Sequence, residues 1–186
     1  MLDVRTPRSP VCAAGVALFI ALAGSACGSG DQAAADDPAK PNVVTTVSPL
    51  TSIVANVVGD QAEVRGLVPE GVNSHTFEPP PSAARALARA DVVFINGLQL
   101  EDPTRALAEA NLKGDAEVVE LGDGTIAPDQ YVYDFSFPRE EGKPNPHLWT
   151  NPPHAKEYAR IVRDTMARRD PGSAAEYGAN YERFAA

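Results

Sequence analysis

An α/β fold built on a parallel four-stranded sheet flanked by helices is predicted by three features of the sequence. Short runs rich in β-branched residues alternate with helical stretches of about ten residues, the pattern of βα units. The chain carries 14 glycines and 17 prolines, spread so that many turns separate short elements. Its 44% hydrophobic and 22% charged content is that of a globular protein. Asn42 to Val47 (NVVTTV) is short and β-branched and reads as a buried strand, after which Pro49 turns the chain. Leu50 to Val58 then places Leu50, Ile53, Val54, Val57 and Val58 on one helical stripe that stops at Gly59. Glu63 to Val68 is a second, weaker strand, and Pro81 to Ala90 has proline near a helix start followed by good helix formers. Asp91 to Asn96 (DVVFIN) is the clearest strand. Glu101 to Asn111 is a helix, Glu117 to Leu121 a further strand, and Pro153 to Arg169 a longer amphipathic helix. Parallel strands require right-handed crossovers, so helices should cover both sheet faces and the loops at the carboxyl ends of the strands should form a binding edge.

The segment ahead of Asn42 has a different character. Arg5 and Arg8 precede an apolar run from Val11 to Ala23, and Gly24-Ser25-Ala26 stand just before Cys27. A run this short cannot cross a bilayer as a mature helix, which needs about 20 residues, so residues 1–26 read as a secretory signal peptide. The small residues and Cys27 resemble a bacterial lipobox, with Gly24 where a large aliphatic residue is preferred. On that resemblance Cys27 is the lipidation site and anchors the exported protein to the outer face of the cell membrane; ordinary cleavage nearby would instead release a free secreted protein. Residues 27–41 lack large apolar side chains and read as a flexible tether. The folded part is expected to begin near Asn42.

Composition excludes several classes of function. Sixteen basic against 25 acidic residues give a net charge of −9, which argues against a general nucleic-acid binder, since phosphates need a basic surface. Two cysteines, one of them inside the signal, cannot build a disulfide scaffold. Two long connections, Gly71 to Pro81 and Gly122 to Pro152, have few regular-structure signals, and long loops in compact domains are usually functional or disordered. Each holds one of the three histidines. His75 comes after the second strand and His147 after the fourth, which places both on one edge of a parallel sheet as candidate ligands of one metal ion. A pair of surface imidazoles is the other reading of the spacing.

The contexts of the two histidines sharpen this. Ser74-His75-Thr76-Phe77-Glu78-Pro79 and Asn145-Pro146-His147-Leu148-Trp149-Thr150-Asn151-Pro152 resemble the paired signatures of the zinc and manganese solute-binding lipoproteins of ABC transporters. Val47-Ser48-Pro49-Leu50, the run Ala90 to Leu98 with Glu101, and Ala179-Asn180-Tyr181 are similar to other segments of that family. The resemblance implies that His75 and His147 are metal ligands and that Glu78 acts as an acceptor orienting His75; a plain helix-start carboxylate is the alternative for Glu78. It places Trp149 as packing beside the site. Asn145 and Asn151 stand where acidic residues are common, which keeps an acceptor but removes charge. His154 reads as a surface residue. Asp129, Asp134, Glu140 and Glu141 lie in the family's distinctive loop, which here has no histidine, and read as solvated.

The family's remaining ligands come from a second α/β lobe joined by a long helix. Residues 42–176 are therefore expected to be the N-terminal metal-binding lobe and 177–186 the start of the interlobe helix, with the chain truncated inside it. Such a lobe alone should bind metal weakly, because half a coordination shell leaves water in the other positions. The implied function is capture of zinc, with manganese next, and delivery to an ABC permease, by a monomer that catalyses nothing and binds no nucleic acid. Two alternatives are a secreted zinc hydrolase with Glu78 as general base and a surface adhesion lipoprotein. Against the hydrolase, the chain has no H-E-x-x-H, no G-x-S-x-G and no P-loop.

Overall fold

The computed structural model describes residues 40–186. The signal segment, Cys27 and the tether through residue 39 lie outside the described residues. The described chain is organised on a parallel four-stranded sheet in the order β2-β1-β3-β4, formed by β1 (Asn42–Thr45), β2 (Glu63–Gly66), β3 (Val92–Ile95) and β4 (Glu117–Glu120). All four strands lie where the β-branched runs predict them, one or two residues shorter than the runs themselves.

The strand order reverses between β1 and β3, whose carboxyl ends run on into Thr46 and Asn96. In an open α/β sheet this is where a crevice opens for a ligand. Both strands are central and buried. Side chains alternate between two cores: Val43, Val92 and Phe94 pack on one face, Val44, Val93 and Ile95 on the other.

The first face is covered by α1 (Ser48–Val58), α5 (Pro152–Arg169) and α6 (Ala174–Ala185), the second by α2 (Pro81–Leu87) and α3 (Asp102–Asn111). Pro49 sits at the N-terminus of α1, where its missing N–H is not needed, and the helix ends at Gly59 with φ +55°. The predicted stripe of α1 is buried in full, from Leu50 to Val58, and each such side chain stabilises the fold by about 1.5–3 kcal/mol. Helix α5 buries Tyr158, Ala159, Val162, Thr165 and Met166. Helix α6 starts at Ala174, and its Tyr177 and Asn180 are buried, Asn180 Nδ2 donating to the Val57 carbonyl at 2.9 Å. The residues read from the sequence as the start of an interlobe helix are thus packed along α1 and α5.

One element departs from expectation. The segment after β4 reads in the sequence as an irregular connection, yet Leu121–Thr125 forms a short helix, α4. Two glycines and an aspartate in LGDGT hide it from any propensity argument. Gly122 explains why it forms: its N–H donates to the Asn96 carbonyl at 2.8 Å, and a Cβ there would stand 2.8 Å from that same oxygen. Only glycine allows α4 to close on the end of β3.

Candidate metal centre

The two histidines meet above the carboxyl ends of the strands. His75 sits in a single helical turn, Ser74–Thr76, that Asn73 begins by accepting the His75 N–H at 3.0 Å. His147 precedes the turn Leu148–Thr150, which leads into α5. The Nε2 atoms of the two rings are 3.3 Å apart. Two nitrogens each bound to one zinc ion at about 2.05 Å and a tetrahedral angle are separated by about 3.3 Å. The rings are therefore already spaced as neighbours in one coordination shell.

The second histidine is the better supported. Asn145 Oδ1 accepts from both the His147 backbone N–H (3.0 Å) and ring Nδ1 (2.8 Å), which turns Nε2 outward as the bare ring nitrogen. Asn145 Nδ2 in turn donates to Asp134 Oδ2 at 2.6 Å. Phe137 packs edge-on against His147 and tilted against His75, with ring centroids 5.4 and 5.9 Å away, and Trp149 meets the His147 ring edge-on at 5.2 Å. Burial depresses the His147 pKa, the neighbouring His75 depresses it further, and Asp134 opposes both; the net displacement is downward. A neutral imidazole is the form that binds metal.

Below the pair lies a buried polar network. Asn96, fully buried at the end of β3, donates from Nδ2 to the Pro146 carbonyl at 3.0 Å and accepts the Tyr158 hydroxyl on Oδ1 at 2.8 Å. Its own N–H goes to Glu101 Oε1 at 2.6 Å, which also accepts from the Thr46 hydroxyl. Among the described residues Glu101 Oε2 has no hydrogen-bond partner, and burial pushes this carboxyl upward against the hydrogen bonds that oppose it. Between Asn96 and Glu101 the chain makes a strained turn, with Leu98 and Gln99 at φ +52° and +60°. Two tethers maintain it: Leu98 N–H donates to Asp123, and Gln99 Nε2 donates to the Gly142 carbonyl. The loop carrying His147 is thus held from beneath at Gly142 and Pro146.

Residues 43–186 match the family of zinc-uptake complex component A, periplasmic (ZnuA). The chain belongs to this family. It is 33% identical over 175 residues to the manganese-binding lipoprotein MntA of Halalkalibacterium halodurans, covering 94% of this chain and 55% of that protein. It is 33% identical over 160 residues to the manganese ABC transporter substrate-binding lipoprotein PsaA of Streptococcus pneumoniae, covering 84% and 51%. Among solved structures it resembles a cadmium-bound periplasmic metal binding protein of candidatus liberibacter asiaticus (TM-score 0.69, 26% identity, 78% of this chain and 52% of that one). The periplasmic zinc binding protein TroA of Treponema pallidum gives the same TM-score, 0.69, at 25% identity, with 78% and 50% covered. The chain spans about half the length of the relatives it matches.

Measured against the ZnuA-family resemblance, the structure brings His75 and His147 together and sets Trp149 beside them. Glu78 is exposed and makes no hydrogen bond with His75. The orienting acceptor that the structure does show serves the other ring, and it is Asn145. His154 lies on α5 and is not part of the pair. Among the described residues no group of three or more His, Cys, Asp or Glu side chains converges to hold a metal. Asn96, Phe137 and Tyr158 are not marked as site residues by the sequence motifs. Asn96 had a signal: a polar residue closing the most apolar strand, at the edge where both histidine loops return. Phe137 and Tyr158 had none that separates them from ordinary apolar packing.

Proposed function

We propose that this chain forms the metal-capturing lobe of an exported ABC-transporter receptor, with His75 and His147 as ligands of a divalent transition ion that is cargo. The observation that carries this reading is the 3.3 Å approach of the two Nε2 atoms on the sheet's carboxyl edge. Zinc is the first candidate, and the manganese in the names of MntA and PsaA makes manganese the competitor to test against it. Two imidazoles leave the other coordination positions to water or to donors outside the described residues, so binding by this chain is weak. Residues 42–176 form the lobe, residues 27–41 the tether, and Cys27 the lipidated anchor to the outer face of the membrane, in keeping with relatives named as lipoproteins. A membrane permease receives the ion, and the receptor works as a monomer without catalysis.

The test is a competitive titration of the full chain with zinc and manganese, read by Trp149 fluorescence, since this only tryptophan packs on His147. Zinc should bind in a manner that requires both histidines, ahead of manganese. Zinc binding unchanged by His75→Ala and His147→Ala overturns the site. For the anchor, cells fed radiolabelled palmitate should label the unmodified protein and leave Cys27→Ala unlabelled; equal labelling of the two removes Cys27 from that role.

A further inference from the structure

We infer that Asp134, eleven residues before Asn145, is a positioning residue that locks the Asn145 amide in the orientation leaving Nε2 of His147 to face the metal. The inference rests on the metal-receptor reading and adds a part to it. Asparagine is a two-faced link: its amide can present either the oxygen or the NH2 group to a neighbour, and imidazole accepts either partner by changing tautomer. The ring contact alone therefore fixes nothing, and the other contact to His147 that favours the oxygen is its main-chain N–H, which donates to Asn145 Oδ1 at 3.0 Å. If the amide turned over, giving up that main-chain bond, its NH2 would donate to His147 Nδ1, the ring proton would sit on Nε2, and no lone pair would face the cargo.

Asp134 locks the same orientation from the other end of the amide. An ionised carboxylate has only acceptors, so Asn145 must offer its NH2 group to Asp134 Oδ2 (2.6 Å) and its oxygen to the His147 ring (2.8 Å). The carboxylate is fixed in turn: Oδ1 accepts the backbone N–H groups of Ser136 (2.8 Å) and Phe137 (3.1 Å) in a tight turn that also bonds Asp134 and Phe137 main chains to each other. The Asn145 bond and these backbone donors hold the Asp134 carboxyl below the usual carboxylate range, so it remains an acceptor at neutral pH. Both oxygens are engaged, one shaping the turn that sets Phe137 on the two rings, the other polarising the amide. The negative charge missing at position 145 is thus supplied from position 134 and transmitted through an amide.

Asp134→Asn separates these roles, because an asparagine has a single oxygen and cannot serve both the turn and the Asn145 NH2 group. Its zinc affinity should fall about tenfold, the usual order for loss of a group that orients a metal-binding histidine. The double variant Asp134→Asn with Asn145→Asp restores an obligate acceptor against His147 Nδ1 and should bind within about threefold of the unmodified chain. Long-range 1H–15N correlation of His147 in the metal-free chain reads the tautomer directly: protonated Nδ1 in the unmodified and double variants, and a population with protonated Nε2 in Asp134→Asn. A protonated Nε2 in the unmodified chain, or a tautomer indifferent to Asp134→Asn, overturns the inference. If the tautomers behave as stated and zinc does not bind the unmodified chain, it is the metal-receptor reading that has failed.

Discussion

The two histidine loops reach the same point by opposite means. The His75 loop is exposed at Val72, Asn73, His75 and Thr76, and the bond that holds the His75 main chain is the local cap from Asn73. The His147 loop is anchored at Gly142 by Gln99, at Pro146 by Asn96 and at Asn145 by Asp134. One donor is fixed to the sheet and one is carried on an adaptable turn. The proposed receptor role, which includes release of the ion, calls for some of each: preorganisation gives affinity by sparing the ordering cost, and a loosely held ligand leaves a route for opening.

The largest effect expected from this asymmetry comes from exchanging donors. A carboxylate is an acceptable zinc ligand, but its reach differs from that of imidazole. On the His147 side the loop is tied at Gly142, Asn145 and Pro146, so His147→Glu should weaken zinc binding by about 100-fold or more, beyond the 10- to 100-fold typical of losing an orienting group. On the adaptable side the turn can re-aim a side chain of different shape, and His75→Glu should lose only about tenfold. Fluorescence titration of the two variants decides it. Equal losses would mean that the loops are equally rigid in solution and that their different anchoring has no energetic weight.

A smaller effect is expected one layer down. Asn96→Ala strips a hydrogen bond from the Pro146 carbonyl and leaves the Tyr158 hydroxyl buried without a partner. The unsatisfied groups should reduce unfolding stability by about 1–3 kcal/mol, measured by chemical denaturation. Zinc affinity should fall about tenfold because the loop bearing His147 is released at its base. Tyr158→Phe sharpens the comparison by removing only the bond to α5. Asn96 keeps its donor to Pro146, so this variant should lose about 1 kcal/mol of stability with zinc affinity nearly intact. A large affinity loss in Tyr158→Phe would instead show that α5 takes part in holding the site.

The histidine motifs were far more legible in the sequence than the layers that support them. Strand runs, helix stripes and the histidine motifs are local patterns, and the sheet, the faces of the helices and the pairing of His75 with His147 came from them. What stayed hidden depends on contacts between segments distant in the chain. Nothing near Asp134 marks it apart from Asp129, Glu140 and Glu141, and all four read as solvated acids; only the fold brings Asn145 back against it. Helix α4 was hidden for a related reason, since Gly122 and Gly124 argue against helix locally while the approach to Asn96 requires one of them.

The smallest expected effect belongs to the exposed loop. Asn73 Oδ1 accepts the His75 N–H in a solvent-exposed turn, where exchange with water recovers most of the bond. Asn73→Ala should therefore change unfolding stability by less than about 0.5 kcal/mol. The consequence for zinc should be confined to the dissociation rate, raised about two- to threefold as the turn bearing His75 frays while His147 holds the ion in place. Stopped-flow chelation of zinc from the variant and the unmodified chain measures that rate. A roughly tenfold or larger increase would place the fixed point of the site at His75, and the roles assigned to the two loops would have to be exchanged.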